Sequence, residues 1–296
     1  MAQAAHPVTQ AEVVPYGPTF VAEIRGVDFT RPVSDETART IHRALMDYKV
    51  LFFRDAEMTP EQHVAFGKQF GELTIHPFVP HLEHLPEVLV LDNHKDNPVF
   101  STDVWHSDET FRSDPPMGSI LRCIRIPERG GDTLWADMAA AYAGLSDKMQ
   151  HLISGLEAVH DFQNFRHKFD DLPVRERHER LAKMEEELPN PTHPVVTTHP
   201  ATGQKILFVN PQFTVAIKGM SEAESRALLS VLYAQAMTPE YQFRFHWQPN
   251  SMVFWDNRGT QHYACNDYYP NHRTMQRVTI KTEKAFTGMG YPDYST

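Results

Sequence analysis

Beyond residue 88 the apolar residues of this chain come only in short runs, and that limits what it can build. Val88–Leu91, Ser119–Ile126, Ile206–Val209, Met252–Trp255 and Thr274–Thr282 have strand length, and Pro-, Asp- and Gly-containing loops divide them. Such strands bury a face only against another sheet or a layer of helices. Phe20–Phe29 alternates as a further strand, and Val50–Phe53 reads as a buried one. Asp35 is the expected N-cap of a helix through Tyr48, with Ile41, Leu45 and Met46 on one side. Thr59–Phe70 fits a second helix with Pro60 in its first turn. Ser146–Gly155 predicts a third, burying Leu145, Met149, Leu152 and Ile153. Ser221–Met237 carries the clearest helix signal: Ser221 caps, Glu224 has capping-box spacing, and Leu228, Leu229 and Leu232 point inward. Together these give an α+β, mostly β chain, a barrel or jelly-roll core wrapped by helices. Residues 1–15 read as a flexible tail and 16–296 as one domain. Arg166–Glu187 is charge-rich with few core anchors, a surface excursion that marks a lid or insert near 166–188.

Composition removes several function classes. A net charge of −10 opposes a grip on nucleic acid or anionic lipid, although single arginines in a pocket can still hold a small anion. Two cysteines, Cys123 and Cys265, make no disulfide framework and no thiolate-rich metal site, so a metal here must use His, carboxylate and water. Met1–Phe20 has neither a basic start nor an apolar run, and no apolar segment approaches the roughly 18 residues of a membrane span. A cytoplasmic enzyme acting on a small molecule is the expectation.

Chemistry-bearing residues concentrate in a few places. In Trp105-His-Ser-Asp-Glu-Thr-Phe111, His106 and Asp108 are two apart, so an extended backbone points both to one side. A third ligand, His262 in Asn257-Arg-Gly-Thr-Gln-His-Tyr263, would complete a facial triad with three adjacent positions open for a chelating co-substrate and O2. With 17 histidines in the chain the pair alone is weak, and His81 with His84, or His94 with Asp96, could be offered as well. Arg273 and Arg277 are four apart in a strand and share a face, two forks for two anions, or else two surface arginines paired with acids. Thr133 follows the Gly130-Gly131 turn and could donate to a carboxylate; the plainer alternative is a hairpin turn.

Taken together, five runs resemble the TauD/TfdA family of Fe(II)- and 2-oxoglutarate-dependent dioxygenases, most closely its taurine dioxygenase branch. They are Trp105–Phe111, Gly130–Trp135, Phe208-Val-Asn210, Trp255–Ala264 and His272–Thr279, in family order within Val21–Phe286. The resemblance implies a double-stranded β-helix, a cupin-like jelly roll. It implies iron on His106, Asp108 and His262, and the distal carboxylate of 2-oxoglutarate on Arg273 and Thr133. It places the substrate anion on Arg277 with His76 assisting, aromatic walls at Phe162 and Phe213, Trp255 near the iron, and Thr102 and Asp103 along the substrate pocket. Taurine or a related alkyl sulfonate would be hydroxylated and would release sulfite and an aldehyde. An alkyl sulfate, an aryloxyalkanoate or another carboxylate would suit the same chemistry. The family implies a homo-oligomer, dimer or tetramer. Two departures fall at the amine end of taurine: Phe100-Ser-Thr-Asp-Val104 replaces an Asn-rich stretch, and Val79 stands where a Tyr is expected. Two readings of other classes compete, a zinc hydrolase on the same triad and a non-catalytic anion-binding jelly roll. The zinc hydrolase does not account for Arg273 together with Thr133, and dependence on O2 and a reductant separates it from a dioxygenase; the binding protein would hold anions without consuming 2-oxoglutarate.

Overall fold

A computed structural model describes residues 11–17, 20–97 and 102–283. Its frame is a nine-stranded sheet. In spatial order it runs Glu12–Pro15, Val21–Arg25, Val50–Phe53, Met252–Asp256, Gly118–Arg125, Arg273–Glu283, Leu85–Asn93 and His81–Leu82, with Gly71–Thr74 also paired to Arg273–Glu283. Almost every pairing is antiparallel; Val21–Arg25 beside Val50–Phe53 is parallel. A second sheet of Gln242–Phe245, Thr133–Asp137 and Thr260–Ala264 pairs antiparallel throughout. Gly118–Arg125 and Thr133–Asp137, and likewise Met252–Asp256 and Thr260–Ala264, are consecutive in sequence yet lie in different sheets, as jelly-roll strands do when they alternate between sheets.

Period-two alternation sorts the large sheet's side chains onto two faces. Leu51, Phe53, Ile120, Phe254, Val278 and Ile280 form one core with the helices Asp35–Tyr48 and Pro60–Lys68. Leu121, Cys123, Val253, Trp255 and Met275 face the other way and pack with Trp135, Phe245 and Trp247 of the second sheet's side. Arg273 and Arg277 belong to this inner face and are buried there. Gly118 has no room for a side chain beside Met252–Asp256: a Cβ would lie 2.5 Å from the Trp255 carbonyl oxygen.

The helices follow their end signals. The first is capped by Ser34, which accepts from the Thr37 amide, and not by Asp35, which lies one residue inside where a carboxylate faces the positive end of the helix dipole. Thr59 and Ser221 close full capping boxes with Gln62 and Glu224. The helix of 221–237 is regular over Glu222–Tyr233 and tightens to a 3-10 turn over Ala234–Met237. Asp147–Ile153 buries Ile153, but Leu152 is exposed because its helix covers the core along a narrow stripe. The charge-rich excursion forms a 3-10 turn, Gln163–Phe169, and the helix Val174–Glu187, which buries no residue. Among the described residues no helix is long and apolar enough to cross a membrane.

The turn that carries the chain from Met252–Asp256 in the large sheet to Thr260–Ala264 in the second sheet is held from inside. Asp256 is fully buried and accepts from Arg258 Nε at 2.9 Å and Nη2 at 2.5 Å, while His199 Nε2 lies 3.1 Å away. Burial alone would raise this carboxyl; Arg258 and His199 outweigh it and hold it far below the usual carboxylate range. A depressed folded pKa makes the contribution complete above the unfolded value of about 4 and progressively lost as pH falls toward the folded one. Asp256→Asn should therefore cost about 3 kcal/mol in urea unfolding at pH 7 and shrink the loss of stability between pH 5 and pH 3. A cost within about 0.5 kcal/mol of zero, the range of ordinary surface changes, would show that the pair is not structural.

Candidate active site

Where the two sheets face each other, backbone pairing brings the HxD segment to the second sheet. His106 N donates to His262 O at 3.0 Å and His262 N to His106 O at 2.7 Å, an isolated antiparallel bridge. Their rings lie 4.1 Å apart between centroids. Asp108 Oδ1 is 3.9 Å from Nε2 of both histidines, and one ligand atom from each of the three residues lies within 4.8 Å of the others. All three residues are buried. Among the described residues this is the one group of three or more His, Cys, Asp or Glu side chains gathered closely enough to share a metal ion.

The donor set fits Fe(II), and the surroundings fix it. The Val104 carbonyl lies 2.7 Å from His106 Nδ1, which places the proton there and leaves Nε2 as a lone pair aimed inward. Asp108 is anchored at its backbone by Asn257, whose Oδ1 accepts from the Asp108 amide at 2.6 Å and whose Nδ2 donates to the Asp108 carbonyl at 2.9 Å. Ser119 Oγ donates to Asp108 Oδ2 at 2.9 Å, leaving Oδ1 toward the histidines. Arg277 Nη1 also donates to Oδ1, at 2.6 Å. Burial pushes the Asp108 carboxyl up, but Arg277, His262 and His106 together hold it well below its ordinary range. Burial lowers both histidines, so both are neutral imidazoles near pH 7, the form that binds metal.

The pocket over the triad is lined from both sheets. Its lining includes Arg273, Thr133, Leu121, Trp255, His76, Val79, Phe165, Phe213 and Arg277. Arg273 is a buried guanidinium, and among the described residues no Asp or Glu pairs with it; burial lowers its pKa. Thr133 Oγ1 accepts from Trp247 Nε1 at 2.9 Å, so its own proton is available to a ligand. A buried cation without a counter-ion beside a spare hydroxyl donor suits the far carboxylate of a dicarboxylic 2-oxo acid. His76 Nδ1 accepts from the amides of Phe78 at 3.1 Å and Val79 at 3.2 Å, which leaves the proton of a neutral ring on Nε2. Burial and then Arg277 hold its pKa well below the ordinary value.

Two residues expected at the pocket stand elsewhere. Phe162 is fully buried behind the wall, stacked on Phe78 at 5.4 Å and covered by Arg166, whose guanidinium carbon is 4.7 Å from its ring; Phe165, one 3-10 turn later, takes the wall position. Asp103 is exposed, while its neighbour Thr102 lines the pocket, because successive residues of an extended segment face opposite ways. Phe100 and Ser101 lie outside the described residues. Of the other histidine pairs, His81 and His84 are exposed, and His94 with Asp96 sits on a surface turn. Several contributors went unnamed in the sequence reading: Ser119, Phe165 and Gln212. Asn257 was inside a quoted run, but nothing in its spacing announced a clamp on Asp108.

Comparison with known proteins agrees with this geometry. Residues 12–279 match the family described as taurine catabolism dioxygenase TauD, TfdA family, and the chain belongs to that family. It is a 2-oxoglutarate-dependent dioxygenase that uses Fe(II). An alkylsulfatase of Acinetobacter baylyi is 37% identical over 88% of this chain and 82% of its own length. An alpha-ketoglutarate-dependent sulfate ester dioxygenase of Pseudomonas putida is 35% identical over 93% and 90%. A putative alpha-ketoglutarate-dependent taurine dioxygenase from Burkholderia xenovorans superposes with a TM-score of 0.78 at 37% identity, covering 92% of each chain. The structure of AAD-2 in complex with Mn(II) and N-oxalylglycine aligns with a TM-score of 0.76 at 27% identity, over 93% of this chain and 98% of that one.

If Asn257 aims Asp108, its loss should be felt at the metal. Asn257→Ala should weaken Mn(II) binding about 10–100-fold, the usual effect of removing an outer partner of a ligand. Anaerobic titration calorimetry checks this, and unchanged affinity would show that Asp108 is placed without the clamp.

Proposed function

We propose that this enzyme hydroxylates the sulfate-bearing carbon of a small alkyl sulfate ester with an uncharged tail. The observation that carries this is the pairing of a cationic grip, Arg277 with His76, and apolar walls, Val79, Leu89, Phe165 and Phe213, around one pocket. An ammonium group would want a carboxylate there. Among the described residues the two that line the pocket are already engaged: Asp108 with Arg277, and Glu109 with Arg112 Nε at 2.5 Å. Taurine, favoured by the motifs, carries an ammonium that meets no free carboxylate among the described lining residues, whereas a sulfo anion on an apolar tail suits both the grip and the walls. Unsubstituted alkyl sulfonates are the second reading, since a sulfonate makes the same demand on Arg277.

In this reading His106, Asp108 and His262 hold the iron. Iron with 2-oxoglutarate and O2 supplies the oxidant that places oxygen in a C–H bond, 2-oxoglutarate leaving as succinate and CO2. Arg273 and Thr133 bind the far carboxylate of 2-oxoglutarate. Arg277 grips the sulfo group as a charged fork, and His76 Nε2–H donates to it as a neutral ring. Because Arg277 touches Asp108, an anion on Arg277 lies beside the triad, and the carbon next to it is the one within reach. The hydroxylated ester, R–CH(OH)–OSO3−, then breaks its C–O bond to give R–CHO and hydrogensulfate. A sulfonate would give the aldehyde and sulfite. The reading includes assembly as a homo-oligomer, dimer or tetramer, in the cytoplasm.

Incubation with Fe(II), ascorbate, 2-oxoglutarate and hexyl sulfate should yield succinate and sulfate in equal amounts. Reaction with hexanesulfonate or taurine alone would move the assignment to sulfonates, and no consumption of 2-oxoglutarate with any of them would overturn it. Arg277→Ala should raise substrate KM by about 100-fold or more, the cost of a lost charged hydrogen-bond partner, while substrate-independent 2-oxoglutarate turnover persists. Arg273→Ala should damage 2-oxoglutarate binding first, and equal effects of both variants on both ligands would contradict this division.

The segment Gln163–Glu187 is proposed as a lid in a single domain. Phe165 reaches the pocket from it, Lys168 Nζ donates to the Phe78 carbonyl at 2.7 Å, and Arg166 ties Asp161 to Glu185. Its helix rests on few core contacts, which suits an element that moves. Limited trypsin digestion should cut Arg175–Lys183 readily in the free enzyme and slowly with Mn(II), 2-oxoglutarate and hexyl sulfate. Equal rates would argue against a lid.

A further inference from the structure

The Gly130-Gly131 turn and the loop of Asp267 and Tyr268 meet around Arg273. Gly130 and Gly131 have φ of +79° and +75°, a region that disfavours side chains. A Cβ on Gly131 would come within 3.1 Å of Arg273 Cδ, and one on Gly130 within 2.8 Å of Asp267 Oδ1. The backbone is therefore pressed directly onto the arginine's stem. Asp267 Oδ1 accepts from the Gly131 amide at 2.7 Å, and the Gly131 carbonyl accepts from Arg273 Nε at 3.2 Å. That leaves the guanidinium's outer nitrogens for other partners.

Tyr268 covers one of its sides. It is buried, and its ring centroid is 5.7 Å from the guanidinium carbon. Asn93, itself in the pocket lining, donates from Nδ2 to the Tyr268 hydroxyl at 3.1 Å. A long, flexible side chain whose charge must meet a carboxylate at a fixed distance loses affinity if it can wander. Here its Nε is tied, its stem is walled by glycine backbone, and its head rests against a phenol that is itself tied to the pocket wall.

We propose that Tyr268 is a positioning residue for 2-oxoglutarate: it holds the Arg273 head at the distance from the metal triad that the five-carbon 2-oxo diacid requires. Asp267, through Gly131, secures the other end of the same arm. The inference rests on the assignment of Arg273 to the far carboxylate.

The test is titration of the Mn(II)-loaded protein with 2-oxoglutarate under argon, alongside steady-state kinetics of the iron enzyme. Tyr268→Phe keeps the ring and removes the hydroxyl that Asn93 holds; it should weaken 2-oxoglutarate about fivefold, the value of one neutral hydrogen bond, by freeing the ring that backs Arg273. The KM for hexyl sulfate should move less than twofold, and the ratio of 2-oxoglutarate to 2-oxoadipate affinity should fall. Asp267→Ala should weaken 2-oxoglutarate in the same selective way, while Asp267→Asn, which keeps an acceptor for the Gly131 amide, should restore most of it. Unchanged 2-oxoglutarate affinity in both Tyr268→Phe and Asp267→Ala would overturn the proposal. So would a parallel loss for 2-oxoglutarate and hexyl sulfate, which marks a merely structural role. If Arg273→Ala itself leaves 2-oxoglutarate binding intact, the assignment of Arg273 fails, and the role of Tyr268 with it.

Discussion

Two backbone hydrogen bonds, His106 to His262 and back, carry the site. They join segments 156 residues apart and set both imidazoles on one side of a single bridge. Neither segment could place its ligand alone. The HxD stretch is irregular, with Glu109 at a φ of +51°, and would adopt many shapes if free. The second sheet supplies a rigid edge, His262 standing opposite Trp135 in the ladder. Asn257, in the turn that leads into Thr260–Ala264, reaches across to fix both backbone groups of Asp108. One inter-sheet turn and the strand after it therefore supply one of the three proposed ligands and orient the other two. The turn's own rigidity depends on the buried Asp256 and its two partners.

The large sheet adds the anion chemistry through strand periodicity. Arg273 and Arg277 alternate onto the inner face of the longest strand, Arg273–Glu283, four residues apart. A strand rises about 3.3 Å per residue, so the two guanidinium stems start about 13 Å apart. That spacing lets one serve a carboxylate at the Gly130-Gly131 end while the other stands at Asp108. In the proposed reading, co-substrate and substrate anions are separated by strand geometry rather than by two different kinds of group.

Much of this was legible in the sequence, for identifiable reasons. Short strands closed by turn residues imply packed sheets, and HxD two apart in an extended run implies convergence. The partner for that pair was not legible from spacing alone, because a contact across 156 residues leaves no local period; only the combination of five motifs singled out His262. Ser34 and Asp35 were confused because both are good cap residues and adjacent. Phe162 and Phe165 were confused for a related reason. Both are aromatic residues on one 3-10 stretch, and which of them faces the pocket depends on Arg166 and Phe78 packing over the first. Tyr268 and Ser119 could not be read as site residues at all, since a lone Tyr or Ser gains meaning only from the buried charge beside it.

The most direct test of the account is a crystal grown under argon with Mn(II), 2-oxoglutarate and hexyl sulfate, with the metal located by anomalous scattering. The account predicts manganese bound to His106 Nε2, Asp108 Oδ1 and His262 Nε2, the far carboxylate of 2-oxoglutarate on Arg273 and Thr133, and the sulfate group on Arg277. Manganese at any other group, or the sulfate group on Arg273 with Arg277 unengaged, would contradict it.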